Sequence, residues 1–226
     1  MAEYNQQELF LTPEEALTFL VHQARRLHKH APGRVALGIA GGPGTGKSTL
    51  AARLVDQLNA VEPGSAAYVP MDGFHMLHAK LIELGTVADK GAPHTFEAEA
   101  FASFISTLKS ATGPVSGPGY SRKVEDVVQD AFIIAAEARI LVVEGNYLLL
   151  PDPPWADLKP LLDLSVFIDV PREKARDRLL RRHGEHGLFS DERNREHVER
   201  VDLANYDLVQ RSRPRADLVI DLVTDA

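Results

Sequence analysis

The stretch RVALGIAGGPGTGKSTLAARLVDQL limits the folds open to this chain more than any other feature in it. "RVALGIAGG" is a near-continuous apolar run, the pattern of a strand covered on both faces in a parallel sheet. It leads directly into "GGPGTGKS", Gly41 to Ser48, which satisfies G-x-x-x-x-G-K-[ST] at every fixed position. The glycines let the backbone curl so that successive N–H groups and a helix N-terminus face an anion. Lys47 then suits the β and γ phosphates of a nucleotide, and the Ser48 hydroxyl suits Mg²⁺. A chance match in 226 residues is on the order of 1%, and an ordinary glycine turn would not need Lys47 and Ser48 where they stand. The expected nucleotide-binding segment is Gly41, Gly42, Pro43, Gly44, Thr45, Gly46, Lys47, Ser48 and Thr49.

The rest of the chain repeats the strand-to-helix rhythm. Thr12 before Pro13, Glu14 and Glu15 reads as a helix N-cap with proline at the first position, opening an amphipathic helix over about 13–30. "KSTLAARLVDQLNA" carries Leu50, Leu54 and Leu58 on one helical stripe, and "AAYVPMD", "RILVVEGNY", "LSVFIDVP" and "ADLVIDLV" are four further apolar runs. This alternation predicts an α/β protein: a three-layer P-loop sandwich with a mostly parallel five-stranded sheet, helices on both faces and a helical lid. One domain is expected, with its core over about 34–226 and the lid over about 172–200. "ATGPVSGPGYSRK" reads as a loop or irregular ribbon, and "RRHGEHGLFSDERNREHVER" as a mobile helical hairpin.

Charge and composition narrow the partners. A formal net charge of −7 is the wrong sign for a surface that works by gripping nucleic-acid phosphates. With no cysteine there can be no disulfide, thiolate nucleophile or Cys-ligated zinc, which fits a cytoplasmic enzyme. The start is acidic rather than basic, and no apolar run reaches the roughly 18 residues of a spanning helix. The expectation is a soluble protein with a small-molecule substrate and neither nucleic-acid nor membrane partners; homodimerisation is left open.

A phosphate loop does not name a reaction. The N/T-K-x-D signature of guanine recognition is absent. Small-molecule kinases need a second acid near the acceptor hydroxyl and arginines over the transferring phosphoryl group. Three strands end in acids, at Asp72, Glu144 and Asp169. Asp169, with Pro171 just beyond it, reads as a cap of the following turn or helix. Asp72 and Glu144 are each followed by glycine and a segment able to line a cleft at the carboxyl ends of strands. On the next helix, Lys174, Arg178 and Arg182 recur every four residues with Arg181 alongside, a basic stripe that is ordinarily a solvated face.

Taken in order, GGPGTGKS, MDGFH, KGAPHTFE, PGYSRKVEDVV, VVEGNYLLL and VPREKARDRLLRR resemble the phosphoribulokinase, uridine kinase and bacterial pantothenate kinase group from about Arg34 onward. "KGAPHTFE" and "PGYSRKVEDVV" are most similar to the pantothenate kinase pattern. The chain also resembles small bacterial proteins described as fructose-transport-system or nucleoside/nucleotide kinases. The resemblance implies an ATP- and Mg²⁺-dependent kinase acting on a hydroxyl of a small metabolite: a sugar or polyol, or a pantothenate-like or nucleoside-like compound. It implies that Glu144, one strand from the phosphate loop, supports Mg²⁺ with Ser48, directly or through water. Asp72, one strand further out, would accept the proton of the attacking hydroxyl. Arg178 and Arg181 become the lid arginines, with Arg182 in reserve.

His75, Lys90, Tyr120, Arg122 and Asn205 become acceptor-site residues. Gly91 stands where uridine kinases carry an acid, and Arg122 where pantothenate kinases carry histidine, so neither acceptor follows from the resemblance alone. His75 and His78 lack a third metal ligand at a recognisable spacing, while His94 and the histidines of "HGEHG" read as surface residues. The competing class is an ATP-binding regulator or accessory ATPase with no small-molecule acceptor.

Overall fold

The computed structural model describes residues 6–121, 123–186 and 190–223. Its strands are β1 (Gln7–Leu11), β2 (Val35–Ala40), β3 (Ala66–Pro70), β4 (Val115–Ser121), β5 (Asp126–Ile134), β6 (Ile140–Gly145), β7 (Leu164–Asp169) and β8 (Leu218–Leu222). Its helices are α1 (Pro13–Lys29), α2 (Lys47–Val61), α3 (His78–Leu84), α4 (Ala98–Ser110), α5 (Arg172–His186), α6 (Asp191–His197) and α7 (Leu203–Gln210). A π-helical turn, Val198–Asp202, separates α6 from α7.

Six strands make one sheet in the order β1-β8-β7-β2-β6-β3, and every adjacent pair is parallel. The apolar run of β2 is explained by its burial on both sides. Val35, Leu37 and Ile39 join α1 and α2 on one face, while Ala36 and Ala40 join Phe101, Ile105 and Leu108 of α4 on the other. Leu50, Leu54 and Leu58 of α2 are buried against the first of these layers. α1 opens as expected on a capping box between Thr12 and Glu15 and ends at Lys29.

Two expectations need correction. The sheet has six strands, not five: β1 adds to the outer edge beside β8, register Gln7 to Leu218 through Leu11 to Leu222. Its pattern hides it, because an edge strand half covered by solvent carries no continuous apolar run. The glycine- and proline-rich stretch is also more regular than a loop. β4 pairs antiparallel with β5, and the register shifts between Gly117 and Gly119, around Pro118, as expected for a residue that cannot donate to the ladder. The described parts of the charge-dense segment are helical, in the end of α5, in α6 and in the start of the π-turn, with 187–189 outside the described residues.

At the foot of the sheet, opposite the phosphate loop, the Arg34 guanidinium is buried among four carbonyls. It donates to Ala138 at 2.8 Å, Ala135 at 2.8 Å, Leu108 at 3.0 Å and Gly113 at 3.3 Å. No helix among the described residues is long and apolar enough to cross a membrane.

Candidate active site

The phosphate loop joins the carboxyl end of β2 to the start of α2, and its geometry is set by glycine. Gly44 and Gly46 have φ of +77° and +91°, left-handed values that disfavour any side chain. Gly44 is also closed in by α5, since a Cβ there would lie 2.5 Å from the Ala175 carbonyl. Thr45 is fully buried and its hydroxyl donates to the Gly42 carbonyl at 2.9 Å, bracing the curl from inside. Ser48 and Thr49 open the helix on its exposed side.

β2 lies beside β6, and this adjacency brings Lys47 to Glu144. Both side chains are buried, and Nζ is 3.5 Å from Oε1. The Tyr68 hydroxyl on β3 donates to Glu144 Oε2 at 2.8 Å. Burial pushes the Glu144 carboxyl above its ordinary range, opposed chiefly by the Lys47 ammonium; Asp72 adds to the rise, while hydrogen bonds from Tyr68 and Ser48 lower it. Burial, reinforced by the Glu144 charge, pushes the Tyr68 phenol up as well, so it stays a proton donor. The Glu144 carboxylate, within reach of Ser48, offers the hard oxygen that suits a divalent cation, and Asn146 Oδ1, two residues further along the chain, is buried without a hydrogen-bond partner.

Asp72 follows β3 in a short 3₁₀ turn, Met71–Phe74, and is exposed. Its carboxylate accepts no hydrogen bond among the described residues, yet its charge acts on Glu144, Tyr68, Tyr147 and His75. The turn has little room: a Cβ on Gly73 would lie 2.0 Å from the Pro118 carbonyl of β4. Close approach of the hairpin, rather than an unusual φ, therefore demands glycine there.

His75 closes one side. Its Nδ1 donates to the Asp72 carbonyl at 2.8 Å, which leaves Nε2 as an acceptor, and its ring stacks on Phe96 at 3.9 Å and Tyr120 at 4.8 Å. Burial is the main cause holding the imidazole below its ordinary pKa. The Lys90 ammonium lies 5.1 Å from the Tyr120 ring centroid and donates to the Glu125 carbonyl. The Gly91 carbonyl accepts from both the Tyr147 hydroxyl and Asn205 Nδ2, the latter at 3.2 Å. Asn205 is thus buried against the loop of Lys90 and Gly91 and caps no helix.

The two arginines expected over the transferring phosphoryl group separate. Arg178 turns inward, its Nη1 donating to the carbonyls of Thr45 at 3.1 Å and Gly44 at 3.4 Å. Arg181 points outward, 3.9 Å from Glu185 and largely exposed, and Arg182 is exposed too. Asp169 caps no helix among the described residues: its carboxylate accepts from Gln210 at 2.7 Å and Arg213 at 3.0 Å. His183 is not a surface residue either, being half-buried and 2.9 Å from Asp202. Arg122 lies outside the described residues. Lys47, Ser48, Glu144, Asp72, His75, Tyr120, Lys90, Asn205 and Arg178 thus gather at one end of the sheet, while Arg181 does not join them.

Tyr68 is not anticipated from the sequence, and Asn146 and Tyr147 are anticipated only as part of the cleft-lining segment after Glu144. The signal for Tyr68 was a lone aromatic inside a strand whose other residues are small or aliphatic; for the other pair it was the polar break directly after "VVEG".

Residues 36–226 match the Phosphoribulokinase / Uridine kinase family. The chain belongs to this family. Among similar proteins, a Schizosaccharomyces pombe protein provisionally named a uridine kinase is 36% identical over 209 residues, covering 89% of this chain and 88% of that one. A solved structure from Silicibacter sp. TM1040, provisionally named a fructose transport system kinase, is 35% identical with a TM-score of 0.81, covering 90% of this chain and 98% of that one. A pantothenate kinase of Latilactobacillus sakei is 34% identical over 136 residues; the match spans 59% of this chain and 44% of that enzyme. This family member is accordingly a small-molecule phosphotransferase, and kinases of the family use ATP, typically with Mg²⁺.

Proposed function

We propose that the protein transfers the γ-phosphoryl group of ATP to a hydroxyl of a small polar metabolite, with Asp72 as the base. The observation that carries this reading is the Asp72 carboxylate: exposed, free of hydrogen bonds among the described residues, and one strand from the Lys47–Glu144 pair. Bound ATP and Mg²⁺ supply the electrophilic phosphorus and neutralise its oxygens.

The residues divide the remaining work. The loop N–H groups of Gly41 to Thr49 and the Lys47 ammonium hold the β and γ phosphates. Ser48 and Glu144 support the cation. Asp72 takes the proton as the acceptor oxygen bonds to phosphorus and the β–γ bridging oxygen leaves on ADP. His75 Nε2, Lys90, Tyr120 and Asn205 border the acceptor, with Arg122 as a further contact. Arg178 neutralises charge on the transferring group, from a lid formed by α5 and α6 that excludes water on closing. Lys90 beside Tyr120 favours an acceptor that combines its alcohol with an anionic group or several further hydroxyls.

The test is ADP release with a panel of sugars, polyols, hydroxy acids, pantothenate and nucleosides. One class should raise the rate well above basal hydrolysis; if none does, the ATP-binding regulator becomes the better reading. Asp72→Asn should keep ATP affinity, read by nucleotide titration, and lose about 100-fold or more in transfer rate. Full transfer by Asp72→Asn would remove Asp72 from the base role.

A further inference from the structure

Outside the nucleotide and acceptor sites, His183 of α5, His197 at the end of α6 and Asp202 at the end of the π-turn converge, and their ligand atoms all lie within 4.8 Å of one another. His183 Nε2 stands 2.9 Å from Asp202 Oδ2, and the two imidazoles meet edge to face at 5.4 Å. All three side chains are half-buried.

The π-turn is what makes the cluster. His197 and Asp202 are five residues apart, and at 3.6 residues per turn an α-helix would direct them about 140° away from each other. A π-turn repeats at i to i+5 and brings such a pair onto one face. Wide turns of this kind are uncommon, and here the turn aligns two residues able to bind a metal with a third on a neighbouring helix.

We propose that His183, His197 and Asp202 form a binding site for a late first-row divalent metal of the zinc class, clamping α5 to the segment that leads into α7. Two imidazole nitrogens and one carboxylate oxygen suit such an ion, with a fourth position left to water. At bond lengths of about 2.1 Å, tetrahedral ligands lie about 3.4 Å apart, so from the separations of up to 4.8 Å the cluster needs to contract by about 1.4 Å at most. Mg²⁺ is disfavoured, because it takes octahedral oxygen sets and the site has a single carboxylate. Arg182 and Arg200 also act electrostatically on His197, a setting in which nitrogen-to-metal bonds rather than charge alone must hold the ion. The site stands independently of the kinase reading, since its test reads metal rather than turnover.

The full chain, stripped with a chelator, is titrated with Co²⁺ in excess Mg²⁺, which fills oxygen-donor sites. The proposal expects the visible absorption of nitrogen-ligated Co²⁺ saturating at one equivalent, displaced by Zn²⁺, and at least tenfold weaker in H183Q and in H197A. The absence of a saturating spectrum, or one that survives the double substitution, overturns it. In case the variants fold poorly, imidazole NMR of the unaltered chain with Zn²⁺ gives a second reading. Shifts at His183 and His197 support the site, and shifts confined to other histidines overturn it.

Discussion

Arg178 and Arg181 lie three positions apart on α5, yet only Arg178 lies against the phosphate loop, its guanidinium on the Gly44 and Thr45 carbonyls. Arg178→Ala should therefore cost about 100-fold or more in turnover, as loss of a charge-stabilising donor does. Arg181→Ala should stay within about twofold, and steady-state ADP release distinguishes them. His75 carries a pH signature. Its folded pKa lies below the ordinary imidazole value of about 6.5, so above pH 6.5 both folded and unfolded states are neutral and the group is silent. Below that pH the unfolded chain takes a proton that the folded one resists, and stability falls until the lower folded value is passed. Urea unfolding at pH 7.5 and 5.5 should show this loss, and His75→Gln should reduce it. Of these residues, Lys47, Ser48, Glu144 and Asp72 were legible because a phosphate loop and acids at strand ends have fixed spacings. Tyr68 was not, because it meets Glu144 only after β3 and β6 pair across 76 residues of sequence.

The hairpin of β4 and β5 shows how an element can be present yet unreadable. Its glycines and prolines signal a loop, but Gly117 and Gly119 are small because Phe132 and Ala131 of the partner strand fill the space where their side chains would be. The same hairpin presses on the turn holding Asp72. Gly73→Ala would drive a methyl group into the Pro118 carbonyl, at a cost of about 1–3 kcal/mol if the backbones yield. The expected result is a lower Tm and a raised KM for the acceptor with the KM for ATP little changed. A rise in the ATP term instead would separate the hairpin from the acceptor side. The buried strands of the sheet were legible as apolar runs, whereas β1 was not, being an edge strand recognisable only by what it pairs with.

At the scale of the whole molecule, the outer edge of the sheet is tied down by one cation. Arg213 joins Glu8 of β1, Asp169 of β7 and Asp221 of β8. Burial and the Glu8 contact raise the Asp221 carboxyl above its usual range against the opposing pull of Arg213. Arg213→Ala would leave three acids facing one another, costing about 1–2 kcal/mol in this partly solvated setting. Calorimetry should show a Tm deficit that is large near pH 7 and shrinks as the pH falls through the carboxylate range, because protonation relieves the repulsion.

The π-turn at Val198–Asp202 has a different kind of consequence. Such a turn is a helix holding one residue more than its regular winding needs. Removing any one of Val198 to Val201 would let the helix close into regular winding and rotate everything after it by about 100° relative to everything before it. Asn205, three residues downstream, could not then stay on the Gly91 carbonyl while His197 kept its place. In this segment the number of residues matters alongside their chemistry, and a single deletion would uncouple the loop of Lys90 and Gly91 from α5 and α6 with every side chain of the candidate site still present.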